Sequence, residues 1–142
     1  MAYSGELGSS PIEAKTIDAA IEQFKIVKLQ SESNVLISKT TASDANKVYG
    51  RCLYDRTADD ITDNLTSVDV EHFTPGTIKT LVSSAAISSI DVPVGLADDG
   101  EIVALTENAT PVSQFQIGRS YETAAAANDE ILVSIDPRYI DY

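Results

Sequence analysis

Short runs of apolar residues at every second position, separated by turn residues, extend along most of the chain. Val68 and Val70 alternate with Asp69 and Glu71, and Phe115 and Ile117 alternate with Gln114 and Gln116. Val92, Val94 and Leu96 keep the same period, and Ile131, Val133 and Ile135 present one apolar face. A period of two marks a strand with one side on a core. Phe24 and Ile26 through Leu29, the turn Ser31-Glu32-Ser33-Asn34 and then Val35-Leu36-Ile37 predict a hairpin. A second hairpin is predicted at Ala97-Asp98-Asp99-Gly100, which returns through Glu101 to Leu105, because Asp-Gly readily adopts the left-handed turn conformation. Phe73-Thr74-Pro75-Gly76-Thr77 is a further turn. Between these strands, Ile12, Ile17 and Ile21 predict a short helix, and the polar residues 55–67 predict an exposed loop. Ala124 to Ala127 reads as a loop or one turn, and Pro137 is expected to end the last strand.

One phrase recurs. Val48-Tyr49-Gly50-Arg51 leads through Leu53 and Tyr54 toward an acidic segment, and Gln116-Ile117-Gly118-Arg119-Ser120-Tyr121-Glu122 does the same before the final strand. The two glycines lie 68 residues apart, nearly half of the 142. Upstream of each sits a similar apolar run, Ala20-Ile21 to Ile26 and Ala86-Ile87 to Val92. Two copies are too few for a solenoid. The expected architecture is therefore mainly β, a small β-barrel, β-tulip-like or sandwich domain with two similar halves. The half-repeats span about 21–70 and 86–136 within one domain, 21–142, preceded by an extended N-terminal arm, 1–20. A bulge or a close backbone approach is expected around Gly50, a structural role for Gly118 at the equivalent repeat position, and Arg51 and Arg119 are expected to bond carboxylates such as Asp55 and Glu122.

Charge and composition narrow the function classes. Ten basic residues against 22 acidic ones give a formal net charge of −12, with no basic run. Phosphate backbones are bound by clustered Lys and Arg, so direct nucleic-acid binding is not expected. The N-terminus has neither the basic start nor the apolar core of a signal peptide, and no stretch approaches bilayer-spanning length. The protein is expected to be made in a cytoplasm and to have no membrane partner. The single cysteine, Cys52, is expected to pack in a strand.

Catalytic chemistry has no obvious home. The single histidine, His72, and Cys52 cannot form a zinc site of the usual kind. His72 follows Glu71 on the polar side of a strand, where a surface histidine is the plainer reading. Asp59, Asp60 and Asp63 crowd one segment but lack the glycine and terminal glutamate of a calcium loop. No Gly-rich phosphate loop is present. No catalytic residue, metal site or cofactor is therefore expected, and the profile suits a protein that binds other protein.

The second half carries a resemblance. Ile87 and Ile90 are followed by the hairpin Val92 to Leu105, then by Ile117-Gly118-Arg119-Ser120-Tyr121-Glu122, an alanine-rich link, and Ala127-Asn128-Asp129-Glu130-Ile131-Leu132-Val133. This order resembles the small capsid decoration, or cement, proteins of tailed bacteriophages. In that family a strand after an Asp-Gly turn precedes an Ile-Gly-x-Ala-x-Glu phrase and then Ala-Gly-Glu-x-Val-x-Val. Tyr121 departs from the small apolar residue usual there, and Asn128-Asp129 replaces glycine. The resemblance implies a virion protein on the outer capsid surface, a homotrimer that clamps neighbouring major capsid protein subunits. Tyr3, Leu7, Pro11 and Ile12 of the arm would make the capsid contact. Tyr139, Ile140 and Tyr142, apolar and aromatic where a free tail is normally polar, would lie at a subunit interface. A head-fibre base, a tail-tube or minor surface subunit, and a β-barrel binding a small ligand at Arg51 and Arg119 or at Asp59, Asp60 and Asp63, are the alternatives.

Overall fold

The computed structural model describes residues 5–142. Strands dominate, as the period of two requires. In the first half β1 (Ile12–Ile17), β2 (Ile26–Leu29), β3 (Leu36–Lys39), β4 (Gly50–Cys52) and β5 (Ser67–His72) close into a barrel in the order β1-β3-β2-β4-β5. β1 closes it, pairing parallel with β3 and antiparallel with β5. In the second half β6 (Ile78–Val82), β7 (Pro93–Leu96), β8 (Ile102–Ala104), β9 (Ser113–Ser120) and β10 (Glu130–Asp141) form a sheet in the order β6-β10-β9-β7-β8.

The two sheets are the same structure used twice. Read from its other end, β8-β7-β9-β10-β6 repeats β3-β2-β4-β5-β1 strand for strand. The seam that β1 and β3 close in parallel survives in the second half as one parallel bridge, Ser83 to Ile102. Individual hydrogen bonds correspond as well. The Phe24 N–H donates to the Cys52 carbonyl as Asp91 donates to Ser120, and Ile21 exchanges bonds with Arg56 as Ile87 does with Ala124. Among the described residues, the non-glycine positions with positive φ fall into three pairs, Phe24 with Asp91, Glu32 with Asp99, and Asn64 with Asn128. Such a conformation costs an L-residue about 1 kcal/mol, so its return at corresponding positions marks the same turns.

The cores follow from side-chain alternation. Val27, Ile37, Cys52, Val68 and Val70 fill the barrel, while Leu81, Val94, Ile117, Val133 and Ile135 form the core of the second sheet. Successive residues of a strand point to opposite faces, so β2 sends Val27 into the first core and Ile26 into the second. The halves thus share a strand's two faces and form one body.

Several local expectations are corrected. Ile12 to Ile17 is strand rather than helix, because its residues find register partners from Glu71 to Ser67 in β5. Within the segment expected to be loop, α1 (Ala58–Thr62) forms behind a reciprocal cap, in which Thr57 Oγ1 accepts the Asp60 N–H and the Asp60 carboxylate accepts the Thr57 N–H. Pro137 does not end β10, which continues to Asp141. The ladder to β9 shifts register between Ile135 and Arg138, and a bulge is where a residue without an N–H is tolerated. The hairpin around Asp98-Asp99-Gly100 forms as expected, with Leu96 opposite Ile102 and Asp99 left-handed.

Candidate functional site

The arm is anchored within its own chain from Glu6 onward. Leu7 exchanges two main-chain hydrogen bonds with Ile78 of β6, and Lys79 Nζ donates to the Gly8 carbonyl at 2.9 Å. Leu7's side chain stays exposed. Pro11 supplies a carbonyl to the His72 N–H, and Ile12 begins β1 with its side chain exposed. Tyr3 lies outside the described residues.

Arg51 and Arg119 hold corresponding positions in unlike surroundings. Arg51 is buried between the halves, where its Nη1 and Nη2 donate to Glu6 at 2.7 and 3.0 Å, its Nε donates to Glu71 at 3.0 Å, and Nη1 also reaches the Thr80 carbonyl. Burial alone would push the Glu6 carboxyl up, but the Arg51 bonds and the Thr80 N–H outweigh it and hold the group at about 2. Asp55, the expected partner, instead accepts the Gln23 N–H. Arg119 lies near the surface and pairs with Asp91 at 2.7 Å, while the expected Glu122 accepts the Leu132 N–H. Gly50 and Gly118 serve one purpose in both halves. A Cβ at either would collide with the carbonyl of the neighbouring strand, Glu71 for the first and Ser134 for the second.

A charged layer joins the halves around Arg51. Lys79 reaches Glu71 at 3.2 Å, and Lys25 reaches Glu101 at 2.7 Å and Asp99 at 3.1 Å. Lys25 and its partners are more than 70 residues apart in sequence, and those ion pairs were not legible there.

Cys52, His72 and Asp60 sit in structural surroundings. Burial pushes the Cys52 thiol up to about 11, far from a nucleophile's range. His72 Nε2 lies 2.7 Å from Glu13, which also accepts the Tyr49 hydroxyl proton, and these bonds hold the Glu13 carboxyl below its ordinary value. Asp60 is engaged in the α1 cap. Among the described residues no three His, Cys, Asp or Glu side chains are gathered as a metal would need.

Exposed apolar surface gathers on the ribbon formed by β10 beyond its bulge and the start of β9. Tyr139 opposes Phe115, and the two rings meet edge to face with centroids 5.3 Å apart. Tyr139 is 58% exposed. Ile140 opposes Gln114 and is half-buried, and Tyr142 exchanges two main-chain bonds with Val112. Two shallow recesses of about 280 and 230 Å³ flank the ribbon and share Ala45 and Phe115. A wider one of about 430 Å³ lies beside Ile90, Arg119 and Tyr121.

No protein-family model matches this chain, and no curated protein sequence does. Its structure is similar to the crystal structure of the N base of head fibre gp8.5 of bacteriophage phi29, with a TM-score of 0.60 over 93% of this chain and 98% of that one. At 13% identity the likeness is one of fold. It spans both halves, so the doubled architecture is shared rather than a single barrel.

Proposed function

We propose that this chain is a structural protein of a tailed-bacteriophage virion, seated on the outside of the head and acting through protein contact rather than catalysis. The observation that carries the reading is the fold shared end to end with a head-fibre base. Such a protein acts by binding other protein. A rigid body with a buried ionic layer and an exposed apolar ribbon suits that task. The major capsid protein is the proposed partner. A homotrimer is the proposed assembly, with Tyr139, Ile140 and Tyr142 on the surface between copies. Linked contacts from three copies would give avidity beyond any one of them.

The decoration reading differs only in whether the protein also stiffens the lattice. It is favoured by the Ile117-Gly118 and Glu130 to Val133 phrases. A ligand that binds only the assembled shell stabilises it by mass action.

Co-sedimentation of the purified chain with undecorated capsids, followed by electron microscopy of the particles, tests the proposal. Saturable binding at fixed lattice positions is expected. A chain that stays in the supernatant at micromolar concentration overturns it. Removal of residues 1–20 is unsuitable as a control because it deletes β1 from the barrel; Tyr139→Ser is the better variant.

A further inference from the structure

The two copies of the fold differ at one edge. In the second copy the outward main-chain groups of Ile78 and Thr80 are all met. Leu7 exchanges both bonds with Ile78, the Glu6 carboxylate accepts the Thr80 N–H at 2.9 Å, and Arg51 donates to the Thr80 carbonyl at 2.9 Å. Segment Glu6–Leu7 thus lies on β6 as one further strand would. The corresponding residues of the first copy are Ile12 and Ala14, since Ile12 opposes Glu71 in β5 as Ile78 opposes Ser134 in β10. Hydrogen-bonded and non-bonded pairs alternate along an antiparallel ladder. The Ile17 N–H donates to Thr66, and the His72 N–H to Pro11, which turns the N–H and C=O of Ile12 and Ala14 away from β5. β3 comes alongside only at Thr16 and Ile17. No described residue meets the main-chain groups of Ile12 or Ala14, and both residues are exposed.

We propose that the edge Ile12–Ala14 is a docking site for an extended, basic segment of another polypeptide, which adds antiparallel to β1 as Leu7 adds to β6. Main-chain bonds would supply the affinity, and Ile12, 54% exposed, an apolar contact. Charge selects the partner. A chain of net charge −12 repels another acidic chain. A second copy paired through this edge about a two-fold axis would set Glu13 against Glu13, and like charges directly opposite are destabilising. A lysine or arginine beside the half-exposed Glu13 carboxylate reverses that sign. The inference goes beyond the virion reading and does not depend on it.

The test is amide hydrogen exchange on the full chain, followed by NMR, with a synthetic peptide copying residues 5–10 but carrying lysine at the place of Glu6. At about ten times its Kd the peptide is expected to slow exchange at Ile12 and Ala14 about tenfold. The unaltered acidic peptide should act only at higher concentration. Ala14→Pro removes an N–H that nothing accepts and is expected to fold, yet to lose the effect at Ile12. A peptide N-methylated at its leucine leaves the protein untouched and should fail likewise. Unchanged exchange at millimolar peptide overturns the proposal, and so does slowing at Ile78 and Thr80 instead, which would mean displacement of the chain's own segment. Protection that rises with protein concentration alone, alongside a dimer mass, would assign the edge to a second copy and overturn the basic partner.

Discussion

Arg51 closes on Glu6 across 45 residues of sequence, with two guanidinium hydrogen bonds of 2.7 and 3.0 Å to one carboxylate. The side chains are 3% and 1% exposed, so the pair is sealed from solvent. It ties the N-terminal segment, the first barrel and β6 together, because Thr80 of β6 contributes both a donor and an acceptor to it.

Removing one side of that pair leaves a buried charge without its partner. Glu6→Ala is expected to cost about 3 kcal/mol, read as a lowered denaturant midpoint. An unchanged midpoint would show that the segment is not held by this bond.

The same carboxylate sets a pH dependence. Its folded pKa, about 2, lies below the ordinary 4.5, so its contribution is present above pH 4.5 and is lost as pH falls from there toward 2. Acid titration of the wild type should show a stability loss across that window. In Glu6→Gln the loss across the same window should be smaller.

Lys25 and Glu101 form another buried pair, with side chains 6% and 11% exposed. Lys25→Met alone is expected to cost about 3 kcal/mol by stranding Glu101. The double replacement by methionine should return to within about 1 kcal/mol of wild type, since a well-packed apolar pair often equals a buried ionic one. Thermal unfolding of Lys25→Met, Glu101→Met and the double variant closes the cycle.

Gly50→Ala and Gly118→Ala should be alike in effect. Each places a methyl group against a strand carbonyl, and each is expected to cost about 3 kcal/mol, the upper end of overpacking. A tolerated Gly118→Ala beside a destabilising Gly50→Ala would show that the halves are alike in strand order but not in packing.

Cys52 should resist thiol reagents in the native protein at pH 8, because it is fully buried and its pKa stands at about 11. Labelling is expected to appear only with unfolding, so its rate reports global opening.

What the sequence determined alone was local and periodic. The strands around Val68, Val94, Phe115 and Val133 were legible because alternation is a property of neighbours. The Gly-Arg phrase revealed the doubling because both copies need a residue without a Cβ at the same close approach. Tertiary structure decided what depends on distant partners. Ile12 to Ile21 reads helically by spacing, yet β5 and β3 offered Ile12 to Ile17 ladders, and a ladder bond exists only when both strands are present. Pro137 reads as a stop, but a bulge absorbed it. Asp55 and Glu122 are the nearest carboxylates in sequence to Arg51 and Arg119, whereas Glu6 and Asp91 are the ones the fold brings into reach. The open edge at Ile12 and Ala14 is likewise invisible in one dimension, because a missing partner can be recognised only beside the corresponding edge that has one.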